Sequence, residues 1–236
     1  REDPEVEGLL YAGTETGLFV SWNEGQSWDR LQLNLPIVPI NDLMVHKGDL
    51  IAATAGRSFW ILDDLGAIRQ WNNPSNMTLF QPKEAYRILG GYQKEPSPGV
   101  GQNPPSGITF DYFLKEELPD SVLLTANILD EEGALVRTYT NQSDEAFKSW
   151  PGGPPKPEVL PTKKGVNRFT WDFRRTTLPA VDQVFVYGDY RGSLVAPGDY
   201  QIQLISQGDT LLTNAQILPN PKVQASALEY LEQEDY

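Results

Sequence analysis

Apolar and polar residues alternate in short runs along the first third of the chain. Residues 9–14 and 17–22 come first, then 41–46, 49–54 and 58–62, with Gly, Asn or Asp between them. A period of two marks strands that bury one face, and the intervening residues are turn formers. The spacing predicts a series of short strands, the pattern of stacked small sheets. Stretches 9–28 and 50–64 echo each other, each reading as strand, small residues, glycine, aromatic strand.

The pattern then breaks. Residues 71–105 hold the turn cluster Asn72-Asn73-Pro74-Ser75-Asn76 and a Pro, Gly, Ser and Gln-rich loop over 94–105, with edge strands expected at Leu79-Phe80 and 85–89. A second series of alternating runs follows at 108–114, 121–129, 134–139, 166–173, 199–205 and 210–218. Asp130-Glu131-Glu132-Gly133 and Gln207-Gly208-Asp209 read as hairpin turns, and 141–164 as a long loop. In the tail, Val223, Ala227, Leu228 and Leu231 share one helical face, with Ser226 or Asn220 placed to cap it. The expected organisation is therefore 1–70, a connector over 71–105, a strand-rich domain over 106–218, and a helix beginning within 219–236.

Composition narrows the chemistry. Formal net charge is −13. The basic pairs Lys163-Lys164 and Arg174-Arg175 are too small for a nucleic-acid footprint. No apolar run is long enough to span a membrane. Cysteine is absent and His46 is the sole histidine. That excludes thiolate catalysis and Cys-bound zinc, and leaves no basis for a His-based metal site. No metal and no cofactor are expected.

The most specific motif is Ser21-x-Asn23-x-Gly25-x-x-Trp28. Asn23 is suited to bond the backbone two residues on, Gly25 to take a positive φ, and Trp28 to cover the turn. The spacing resembles the Asp-box, or BNR repeat. Further along come Thr54-Ala55-Gly56-Arg57-Ser58-Phe59-Trp60, Asn103-Pro104-Pro105-Ser106-Gly107, 165–172 and Ala196-Pro197-Gly198-Asp199-Tyr200. In this order the motifs resemble the C-terminal part of large bacterial BNR-repeat proteins of glycosyl hydrolase-like, exo-sialidase-like or sortilin (Vps10)-like type. Asn23 stands where that family usually has Asp, and Ala55 where its pattern has His.

The resemblance implies an all-β fold: a partial β-propeller, its last blade or blades, followed by an Ig-like sandwich and the start of a C-terminal helix. It also implies an extracellular or periplasmic parent, and a structural role for Ser21, Asn23, Gly25 and Trp28. Sialidase chemistry needs an arginine cluster, a Tyr/Glu pair and an acid converging from several blades. Here Arg57 is the one arginine placed for such a channel, so no catalytic residue is assigned. Arg57 and Trp150 are the candidate binding residues, Trp150 either stacking on a glycan or peptide or pinning its loop. Adjacent acids (Asp63-Asp64, Glu116-Glu117) point to opposite faces of a strand and make a poor glycosidase pair. The expected function is a non-catalytic structural or interaction segment whose partners are the remainder of its propeller or another chain, with a glycan or peptide as ligand. The alternatives are a segment of a glycosyl hydrolase with its catalytic residues upstream, or of a peptide-binding receptor.

Overall fold

Strands form where the alternation lies, and short polar turns decide their pairing. A computed structural model describes residues 1–74, 76–88, 103–144, 146–188 and 190–235. Leu89 and residues 94–102 of the expected connector lie outside them. The protein is mostly β, with a curled half-barrel sheet and a short C-terminal helix. The chain divides into two compact units, Arg1–Asn72 and Asn73–Tyr236.

The first unit holds strands β1 (Leu10–Thr14), β2 (Gly17–Ser21), β3 (Asp29–Arg30), β4 (Ile40–His46), β5 (Asp49–Thr54) and β6 (Phe59–Leu62), then the single-turn helix α1 (Gly66–Arg69). They make two antiparallel three-stranded sheets, β1-β2-β3 and β4-β5-β6. Lys47 and Gly48 both take positive φ between β4 and β5, the two-residue turn whose twist matches that of the strands it joins. Tyr11, Leu18 and Val20 of the first sheet and Leu43, Leu50 and Ala52 of the second are buried in one core. Gly13 is required where the sheets meet, because a β-carbon there would lie 2.6 Å from Ile40 Cγ2.

The second unit holds β7 (Met77–Leu79), β8 (Ala85–Tyr86), β9 (Ile108–Leu114), β10 (Leu124–Asp130), β11 (Leu135–Thr140), β12 (Gly165–Trp171), β13 (Gly198–Ser206), β14 (Asp209–Leu218) and helix α2 (Ala227–Asp235). One sheet has the order β11-β10-β13-β14-β8 and the other β12-β9-β7. All pairs are antiparallel except β14 with β8. Inward side chains of both sheets, among them Phe110, Tyr112, Ile128, Trp171, Ile202 and Ile217, share one core. Gln207 and Gly208 repeat the positive-φ turn between β13 and β14. Asp130 Oδ1 accepts the N–H groups of Glu132 and Ala134 at 3.1 and 2.8 Å, so the acidic run 130–132 is a turn built on its own first residue.

The C-terminal helix opens with a capping box. Ser226 Oγ accepts from Glu229 N, and the Glu229 carboxylate accepts from Ser226 N at 2.7 Å and from Ser226 Oγ at 2.8 Å. Each end satisfies an orphan group of the other. These bonds hold the Glu229 carboxyl below the usual carboxylate range.

Candidate functional site

The motif at 21–28 is a closed ring of hydrogen bonds. Ser21 Oγ, at the buried end of β2, accepts Gly25 N at 2.9 Å and donates to Asn23 Oδ1 at 3.0 Å. Asn23 Oδ1 also accepts Ser27 N at 2.9 Å, while Asn23 Nδ2 donates to Ser27 Oγ at 2.8 Å. Trp28 Nε1 closes the ring on Gly25 O at 3.1 Å. Glu24 and Gly25 sit at φ 56° and 83°, the left-handed pair that reverses the chain so tightly. The polar side-chain atoms of Ser21, Asn23 and Trp28 are all engaged within the turn. The exposed indole then delivers the chain into β3.

Arg57 lies at the tip of the β5–β6 hairpin and is exposed. Its backbone does the holding: Arg57 N donates to Thr54 Oγ1 at 3.2 Å, and Arg57 O accepts Trp60 Nε1 at 3.0 Å. Ala55, also exposed, presents only a methyl group. Trp150 is half-buried. Its Nε1 donates to Val184 O at 2.9 Å, and Gly153 lies against its ring so closely that a β-carbon would come within 2.6 Å. This ties the 141–164 loop to residues 184–186, where Val186 N donates to Gly152 O. An open hollow of about 340 Å³ lies beside it, lined by Phe147, Lys148, Trp150, Asp182 and Gln183 among others. Asn141, which opens a glycosylation-type triplet, is engaged at both ends of its amide, with Leu124 N and Val122 O.

Two charged clusters join residues far apart in the chain. In the first unit Asp3, its side chain fully buried, accepts Arg69 Nε at 3.0 Å, Tyr11 Oη at 3.1 Å and Glu5 N at 2.9 Å. Burial alone would raise the Asp3 carboxyl, but the Glu5 N–H, Arg69 and Tyr11 outweigh it and hold it below the ordinary range. The Tyr11 phenol is pushed up by burial and by the neighbouring carboxylate. In the second unit Arg175 Nε donates to Glu234 Oε1 at 2.6 Å, and Ala196 N donates to Glu234 Oε2 at 2.7 Å. Arg87 bonds Gln233 Oε1 at 3.0 Å and stands 5.0 Å over the Tyr230 ring. Burial pulls its guanidinium below the usual arginine range. These groups dock α2.

No cluster of three His, Cys, Asp or Glu side chains able to hold a metal occurs among the described residues. No described helix is long and apolar enough to cross a membrane. Arg57 stands on a hairpin of the first unit and Trp150 on a loop of the second, each in its own setting. No protein-family model, curated protein or solved structure matches this chain.

Proposed function

We propose that this chain is a non-catalytic structural and interaction segment of a larger secreted or periplasmic BNR-repeat propeller protein. The observation that carries the reading is the ring at 21–28: the polar side-chain atoms of Ser21, Asn23 and Trp28 are taken up in closing a turn. Two small sheets packed face to face in the first unit suit consecutive propeller blades. In the second unit, Tyr200 Oη donates to Ala196 O at 2.7 Å from a buried position, while Trp171 packs edge-on to the Tyr200 ring. A tyrosine tied to backbone a few residues upstream is a corner device of Ig-like sandwiches, and supports that reading of 106–218. The sandwich then buttresses the propeller, and the surface near Trp150, with exposed Phe185 and Tyr187, offers a face to a protein or glycan.

The test is turnover of fluorogenic sialosides and neutral glycosides by the purified chain. Rates at the buffer blank are expected. Hydrolysis that disappears with Arg57→Ala overturns the non-catalytic reading.

A further inference from the structure

The two hairpins β1–β2 and β5–β6 are one object laid down twice. In the first, Ala12 pairs with Phe19, Tyr11 with Val20 and Leu10 with Ser21. In the second, Ala52 pairs with Trp60, Ile51 with Ile61 and Leu50 with Leu62. Step for step, a small residue meets an aromatic, then two large apolar residues meet, then a leucine closes the row. The correspondence assigns equivalent faces. Tyr11 and Val20 lie on what may be named the front of the first sheet, and Ile51 and Ile61 on the front of the second. The row Leu10, Ala12, Phe19 is the back of the first, and Leu50, Ala52, Trp60, Leu62 the back of the second.

The unit's core joins unlike faces. Tyr11, Leu18 and Val20 are buried with Leu50 and Ala52, and Trp60 and Leu62 pack against them. The front of the first sheet therefore meets the back of the second. The front of the second sheet is open: Phe59 is 73% exposed, Ile61 58% and Met44 53%. These residues continue across the strands, Met44 beside Ile51 and Ile51 beside Ile61. Ile51, Ala53, Phe59 and Ile61 with Met44 make this face apolar at its centre, with Asp42, His46 and Asp49 on the same face, and a contiguous exposed apolar patch marks an interaction face.

We infer that the front of the β4-β5-β6 sheet is a docking face for the back of a β1-β2-β3 sheet, and that the occupant is a second copy of this chain joined head to tail. The template for the contact is the packed interface inside the unit, reproduced by the same residue classes. The back of the first sheet carries the matching row, Leu10, Ala12 and Phe19. Leu10, Ala12 and Trp28 border an open hollow of about 510 Å³ along the β1 edge, which Tyr11, Gly13 and residues 40–43 of β4 line as well. A front-to-back contact is heterologous, so it propagates unless the rotation closes a ring. Copies of charge −13 repel one another, and salt, by screening, strengthens the association. The inference stands on the repeat alone and does not require the propeller reading.

Because the chain has no cysteine, Ile61→Cys and Ala12→Cys each introduce a unique thiol at an exposed or half-buried site. Both variants, alone and mixed, are treated with a short bis-maleimide at raised salt. The mixture is expected to yield about tenfold more dimer than either variant alone, since docking makes the second coupling effectively intramolecular. Adding Met44→Lys to the Ile61→Cys chain is expected to remove that excess. Dimer from the Ile61→Cys chain alone at the level of the mixture would mean front-to-front pairing, and it overturns the inference. A yield in the mixture no greater than that with Leu212→Cys, an exposed site on the second unit, overturns it equally. Sedimentation of the unmodified chain, rising with concentration and flattened by Ile61→Lys, is the reading expected without any cross-linker.

Discussion

Asn23 Nδ2 donates to Ser27 Oγ at 2.8 Å, a bond that an aspartate at the same place makes only with the proton moved to the serine. Ser27 can supply it, because a hydroxyl both donates and accepts. The Asn for Asp exchange therefore leaves the ring intact. Asn23→Asp is expected to change unfolding free energy by less than about 0.5 kcal/mol, whereas Asn23→Ala, which removes the acceptor of Ser21 Oγ and Ser27 N, costs about 1 to 2 kcal/mol. Thermal melts of the two variants check this, and equal losses would show that the ring does not depend on the side chain.

Asp3 makes the first unit acid-sensitive. Its folded-state carboxyl lies below the ordinary aspartate value of 3.8. The stabilisation it gives is complete above that unfolded value and is lost as pH falls through the lower folded one. Asp3→Asn leaves the largely buried Arg69 with only the exposed Glu5 carboxylate, 2.7 Å away, as its charge partner, and is expected to cost about 2 kcal/mol near neutral pH. The gap between wild type and variant should stay constant from about pH 8 to about pH 5 and close below about pH 4. A gap that widens on acidification would mean the carboxyl is not held ionised by this cluster.

Gly107 and Gly133 offer a matched contrast. Both take positive φ, 154° and 82°, but a β-carbon on Gly107 would sit 2.3 Å from Trp171 O, while one on Gly133 meets nothing within 4 Å. Gly133→Ala should cost about 1 kcal/mol from backbone conformation alone. Gly107→Ala, forced against main chain, should cost about 3 kcal/mol or more. Urea unfolding of the pair separates the close approach from the strain.

Helix α2 is held chiefly by Glu234. Glu234→Ala removes the acceptor of both Arg175 and the buried Ala196 N–H, and is expected to destabilise the second unit by about 2 kcal/mol. Hydrogen exchange at the Ala196 amide should accelerate in that variant and stay slow in Glu229→Ala, which frays only the start of the helix. Identical exchange in the two would show that α2 does not protect this corner.

What was legible in the sequence was local. The ring at 21–28 closes within eight residues, so its spacing exposes it, and the Lys47-Gly48 and Gln207-Gly208 turns announce their hairpins. Strand β3 did not show itself, because Asp29 and Arg30 are exposed and polar and are held only by pairing with Val20 and Phe19. Helix α1 is too short for a helical period to register. The Asp3–Arg69 and Arg87–Gln233 contacts join residues far apart in the chain, and no spacing rule reaches them. Trp150 was visible as an oddity, but its partner carbonyl at Val184 lies on another loop.

The parallel pairing of β8 with β14 carries a consequence for biosynthesis. Ala85 and Tyr86 have their sheet partners at Ile217 and Leu218, and Arg87 N bonds Leu218 O at 2.7 Å. On a ribosome, residues 85–87 emerge long before the strand they need, and the Arg87 guanidinium waits longer still for Gln233. Closure over such a separation is slow, and unpaired edges are vulnerable meanwhile. The second unit thus completes itself after nearly all of its length has been translated: β7 finds its partner β9 early, while β8 waits for the last strand of the sheet.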